Sequence, residues 1–155
     1  IKFKSNKGIT KKTRIKIPFQ YRLNAEECKE FIEKQTPYNI SNFSTSLTNN
    51  FDRITLVSLS SKERVTIDFN LKFYLNEKIK SLKEICIIEV KKEKGDQASE
   101  VLSLLKKRNI RPVRISKYTI GSVLLNPMLK HNNFKKKLLL INNLSENGNV
   151  WNSTF

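Results

Sequence analysis

The chain has 155 residues, long enough for one domain with its own core, and its 30 Lys and Arg against 14 Asp and Glu give a formal net charge of +16. Two cysteines, Cys28 and Cys86, form neither a disulfide framework nor a metal-ligand spacing, and the single His131 has no partner nearby, which argues against a zinc or histidine-base site. The longest apolar runs, such as Leu138 to Ile141, fall far short of the roughly 20 residues that span a bilayer, so no membrane segment is expected and the free thiols suit a reducing, cytoplasmic compartment.

The chain opens in mid-pattern, with no initiator methionine and no signal-peptide pattern. Residues 1–4 read as the end of a strand with Lys2 and Lys4 on one face and Phe3 on the other. After a turn at Asn6-Lys7-Gly8 comes a second strand, in which Lys12, Arg14 and Lys16 alternate with Thr13, Ile15 and Ile17. Asn24 followed by Glu27 forms a capping box for a helix through about Glu33, with Cys28 and Phe31 or Ile32 inward. Residues 36–50, rich in Ser, Thr and Asn, read as loop.

Strands are expected at about 51–58 and 63–70, joined by Ser60-Ser61-Lys62, and at about 84–92. Gly95-Asp96 marks a stop and the next cap; Val101, Leu102, Leu104 and Leu105 then give a helix through about Arg108. Ser116 caps a helix through about Leu125, stopped before Pro127, and a last helix covers 131–141. About five strands and four helices without βαβ rhythm predict an α+β domain over residues 1–141 with a largely antiparallel sheet, its outward apolar faces covered by helices, and a tail over 142–155.

Positive charge is concentrated in two blocks. Residues 1–22 carry eight Lys or Arg and residues 101–145 carry ten, neither with any acid, whereas residues 23–100 are nearly neutral. Two distant basic blocks suit one anionic partner, be it nucleic acid, a membrane surface or a polyphosphate.

Side chains alternate along a strand, so Arg64, Thr66 and Asp68 share one face and Val65, Ile67 and Phe69 the other; Glu89 and Lys91 likewise oppose Cys86, Ile88 and Val90. The polar faces together carry Lys2, Lys4, Lys12, Arg14, Lys16, Arg53, Arg64 and Lys91 against Asp68 and Glu89. Two arrangements accommodate them. One is an open sheet with a solvated face. The other is a closed, water-filled tunnel that grips a chain of phosphates through charge-assisted hydrogen bonds. Glu89 is then either a salt-bridge partner of Arg64 or Lys91 or a ligand for Mg²⁺ or Mn²⁺. Arg111, Arg114, Ser116 and Lys117 lie at a helix start, which is either an ordinary cap or an anion site. A nucleic-acid module would interleave stacking aromatics with the charges, but Phe3, Phe19, Tyr21, Phe69 and Phe73 are scattered and several fall on apolar faces.

Five stretches resemble the VTC (vacuolar transporter chaperone) domain, the polyphosphate polymerase branch of the triphosphate tunnel metalloenzymes related to CYTH domains. They are Lys2 with Lys12-Thr13-Arg14, Arg53-Ile54-Thr55, Arg64-Val65-Thr66-Ile67-Asp68, Ile88-Glu89-Val90-Lys91 and Arg114-Ile115-Ser116-Lys117-Tyr118 with Gly121. Asn132-Asn133-Phe134-Lys135 is similar to the compact bacterial members.

The resemblance implies an eight-stranded antiparallel β-barrel tunnel with helices outside. In it Lys2, Lys12, Arg14, Arg53, Arg64, Arg114, Ser116 and Lys117 bind phosphates, Arg64 and Lys117 take part in catalysis, and Glu89 binds Mn²⁺ or Mg²⁺. It further implies transfer of the γ-phosphate of ATP to a growing polyphosphate chain, with a triphosphatase on the same tunnel as the alternative. An ionised phosphate acceptor needs no strong general base, and the scarcity of unpaired carboxylates tilts the choice to the polymerase. The family's domain opens with strands bearing E-x-K and R-x-R type motifs that nothing before Ile1 supplies, so the likeness is to the carboxy-terminal part of the domain.

Overall fold

The β-branched and aromatic residues between Thr48 and Leu75 build the centre of the fold, because such side chains pack well on a pleated surface. The computed structural model describes residues 1–6, 9–16, 26–93 and 99–146, in two compact units, Ile1–Thr45 and Ser46–Phe155.

In the first unit, β1 (Lys2–Lys4) pairs antiparallel with β2 (Thr10–Lys12), and the pairing continues as Thr13 N–H donates to Ile1 O at 3.0 Å. The second strand is shorter than expected: Arg14 and Lys16 lie beyond it. Helix α1 (Glu26–Gln35) buries Cys28, as expected from the spacing, while its predicted cap at Asn24 lies outside the described residues.

The second unit is built on a four-stranded antiparallel sheet. Strand β4 (Arg64–Leu75) pairs along one edge with β3 (Thr48–Val57) and along the other with two strands in succession, β6 (Ile87–Lys91) and β5 (Lys78–Leu82). Strand β5 escapes the sequence reading because Lys78-Ile79-Lys80-Ser81 shows too little apolar content; the hairpin is closed by Asn76 in the left-handed region (φ 51°). Strand β3 starts at Thr48, inside the stretch expected as loop. The helices are α2 (Glu100–Lys107), capped by Ser99 instead of the Gly95-Asp96 pair, which lies outside the described residues, α3 (Lys117–Leu125), and α4 (Lys135–Glu146), which runs past residue 141.

A bulge in β4 decides where the core lies. Asn50 faces Lys72 but Asp52 faces Phe69, so β4 holds one extra residue there. Asn70 absorbs it with φ 53°, a conformation asparagine tolerates, and its amide donates to Asp52 at 2.7 Å. The extra residue shifts the alternation. Leu71 and Phe73 therefore join the same face as Arg64, Thr66 and Asp68, together with Phe51 and Leu82. Helix α3 lies on this face, and with Ile85, Ile120, Leu125 and Ile141 these residues form the core.

This corrects the expectation that helices would cover the apolar faces and leave the polar ones to an interior. The polar wall and the core under α3 are two halves of one face, whereas on the opposite face Ile54, Leu56 and Ile88 remain 47, 53 and 37% exposed and Val65 is buried, lining a cavity with Glu100 and Val101 of α2. The α+β class with antiparallel sheets is observed. Among the described residues the strands form a two-stranded and a four-stranded sheet, and neither closes into a barrel.

Candidate functional site

Residues directly opposite one another on paired strands share a face. Across β3 and β4 the register sets Arg53 opposite Asp68, Thr55 opposite Thr66 and Val57 opposite Arg64; across β4 and β6 it sets Thr66 opposite Glu89 and Arg64 opposite Lys91. One end of the sheet thus presents Arg53, Arg64, Lys91, Asp68 and Glu89 together, as their alternation predicted.

Asp68 is the buried member of this group, with a side chain 3% exposed. Arg53 donates side-on to it, Nε to Oδ1 at 2.5 Å and Nη2 to Oδ2 at 2.7 Å, and Lys117 Nζ, from the first residue of α3, donates to Oδ2. The hydrogen bonds from Arg53 are the main cause that holds the Asp68 carboxyl below the usual carboxylate range; burial opposes them and Lys117 adds to them. Asp68 in turn raises the pKa of Arg53 further above neutrality. Both cations rest on the Phe51 ring, Arg53 Cζ at 5.1 Å and Lys117 Nζ at 4.5 Å from its centroid.

Glu89 is exposed and pairs with Lys91 at 3.1 Å, both side chains being about half accessible. So open a pair is worth about 0–1 kcal/mol and is readily displaced. Arg64 is exposed and has no ion-pair partner among the described residues. Across from Glu89, the Thr66 hydroxyl is buried and has no hydrogen-bond partner among the described residues. An open carboxylate beside an unsatisfied hydroxyl offers the oxygen donors that a hard divalent ion takes. A resident metal cage is a different matter: among the described residues no three His, Cys, Asp or Glu gather.

Before α3, Arg114 lies exposed in a segment without regular structure. Ser116 is the N-cap expected from the sequence, its hydroxyl accepting from Thr119 N at 3.4 Å. It is exposed, so its own O–H remains free to donate outward. In the first unit, Lys2 and Lys12 are directly opposite on β1 and β2, and Arg14 follows β2, all exposed. Like charges placed opposite each other destabilise a strand pair unless an anion answers them.

The structure thus groups Arg53, Arg64, Glu89 and Lys117 on the second unit, and pairs Lys2 with Lys12 on the first. It adds two residues that were not singled out as site residues. Asp68 was legible as a carboxylate among cations, and Phe51 sits two residues before Arg53, but their joint contact with Lys117 depends on how α3 docks.

No helix among the described residues is long and apolar enough to cross a membrane. Comparison with curated proteins and with solved structures yields no match. The family model described as the VTC domain matches residues 1–126, from β1 through α3, and so covers each of the basic positions above. With more than half its length matched, the chain belongs to the VTC domain family, which ties it to polyphosphate-related function.

Proposed function

We propose that the chain supplies the phosphate-binding wall of a polyphosphate polymerase, a domain that transfers the γ-phosphate of ATP to a growing polyphosphate chain within a basic tunnel. The observation that carries this reading is the sheet face on which Arg53, Arg64 and Lys91 surround one exposed carboxylate, Glu89, while the other carboxylate, Asp68, is already neutralised.

Arg64 has free donors for the equatorial oxygens of a phosphoryl group in transfer, where charge stabilisation and alignment supply most of the catalysis. Arg53 and Lys117 set the positive potential at the other end of the wall. Arg114 and the Ser116 hydroxyl supply further donors at the start of α3, and on the first unit Lys2, Lys12 and Arg14 form a basic strip of their own that suits phosphate. Glu89 would hold Mn²⁺ or Mg²⁺, which would supply positive charge to offset that of the phosphates. Asp68, with its proton affinity lowered by two cations, is unsuited to act as a general base, and an ionised phosphate acceptor requires none.

The test uses the gene product that contains these residues, incubated with ATP and Mn²⁺. A lengthening polyphosphate ladder on a gel is expected, with Arg64→Ala slowing it by about 2–4 kcal/mol in activation free energy, the size of one lost electrostatic donor. Orthophosphate without a ladder would make the domain a triphosphatase. Neither product, combined with tight, salt-sensitive RNA binding, would make it a nucleic-acid module.

A further inference from the structure

We infer that the outward side of α4 is a contact surface for a membrane bearing anionic phospholipids, on which the helix lies flat. The residues concerned fall within 128–144, beyond the family match over 1–126, and the assignment is independent of the phosphate wall.

Helix α4 holds the apolar run Leu138-Leu139-Leu140-Ile141, and the fold uses only half of it. Ile141 is buried in the core and Leu138 packs against it. Residues three apart share a helix face, so these two define the inward side. Leu139 and Leu140 turn the other way and stand 60 and 41% exposed. Leu144, four residues beyond Leu140, continues the outward stripe and is also exposed. Lys135 and Lys136 stand four residues before Leu139 and Leu140, so charge and apolar surface share this side.

Lys130, Lys135 and Lys136 are exposed and have no ion-pair partner among the described residues, while Lys137 Nζ lies over the Phe134 ring, 5.2 Å from its centroid. No Asp or Glu occurs between Glu100 and Glu146. Lys135, Lys136 and Lys137 also fill the first turn of α4, where the positive end of the helix dipole disfavours cations. An anionic surface relieves that conflict. Ahead of the helix, Leu129 N–H donates to Asn126 O at 3.2 Å, closing a turn that leaves Met128 92% exposed.

The mixture of groups decides the chemistry of the partner. Free polyphosphate would satisfy the lysines but has no use for exposed leucines. A lipid surface takes both: the leucines enter the boundary between head groups and acyl chains, and the flexible lysine stems keep their ammonium groups among the lipid phosphates. Each lysine brought to such a surface raises affinity about fivefold.

The test mixes the gene product that contains these residues with sedimentable vesicles, either of phosphatidylcholine alone or of phosphatidylcholine and phosphatidylglycerol in equal parts, and measures the protein pelleted. Binding to the mixed vesicles and not to phosphatidylcholine is expected. A net charge of +16 attracts the chain to any anionic surface, so variants separate α4 from general attraction. Leu139→Gln with Leu140→Gln leaves the charge unchanged and should weaken binding about tenfold. Lys135→Gln with Lys136→Gln should weaken it about 25-fold. Lys106→Gln with Lys107→Gln removes the same charge from the end of α2 and should cost about threefold at most, as for charges held off the surface. All six positions are exposed, so the variants keep the fold, which a circular dichroism melt checks. Unchanged vesicle binding in the leucine variant overturns the proposal, and so does an equal loss from the α2 and α4 lysine pairs. If the α4 lysine variant loses long-chain polyphosphate while the leucine variant still binds vesicles normally, the surface belongs to free polyphosphate. No binding to the mixed vesicles overturns the proposal as well and leaves this side of α4 to an acidic protein. The polyphosphate ladder assay is unaffected by any of these outcomes, so the two readings fail separately.

Discussion

Gly121 offers a way to move α3 against the wall by one methyl group. A Cβ on this residue would lie 2.8 Å from Phe73 Cγ and 2.9 Å from Leu47 Cδ2, closer than such atoms approach in folded proteins. Leu47 is half-buried and its tip can rotate away. Phe73 is 1% exposed at the centre of the core, so the helix must yield to the ring.

Two terms of opposite sign follow for Gly121→Ala. Alanine in a helix interior gains about 1 kcal/mol over glycine, and overpacking a dense core costs about 1–3 kcal/mol. The expected net is a loss of about 1 kcal/mol, seen as a fall of about 2–4 °C in melting temperature for a chain of this size. Urea denaturation followed by circular dichroism measures it. Replacing the ring, as in Phe73→Leu, should turn the same Gly121→Ala change from harmful to neutral or favourable, because the methyl then has room. A single Gly121→Ala variant as stable as the wild type would refute the claim that α3 is pinned against Phe73.

Ser116→Ala should cost about 1 kcal/mol by removing the cap of α3, read from the same denaturation curves. The Asp68 clamp makes stability depend on pH in one direction. Its carboxyl titrates lower in the folded chain than the ordinary value of about 3.9 in the unfolded chain. Its contribution is therefore fully present above that value and is lost as pH falls through the folded value; the stability difference between wild type and Asp68→Asn should be flat from pH 7 to about 5 and shrink below about 4. Glu89→Gln should abolish metal-dependent turnover while tripolyphosphate binding in the absence of metal persists; unchanged metal dependence in a folded variant would remove Glu89 from the metal site.

Much of the site was legible from period-two alternation. Since successive strand residues point opposite ways, Arg64, Thr66 and Asp68 had to share a face, and so did Glu89 and Lys91, whatever lay beside them. The Ser116 cap and the span of α3 were also local matters, set by a serine hydroxyl and a following proline. The register that brings Arg53 to Asp68 and Thr66 to Glu89 pairs residues more than ten positions apart in sequence, and alternation cannot reveal it. Nor could it reveal the bulge at Asn70, where one extra residue puts Leu71 and Phe73 on the same face as the polar wall. Helix α3 therefore docks beside that wall, and Lys117 meets Asp68. Local sequence determined which side chains carry charge and which way each strand turns them; the bulge and the docking of α3, fixed by burial of Phe73 against Gly121, decided which charges neutralise one another and which remain exposed.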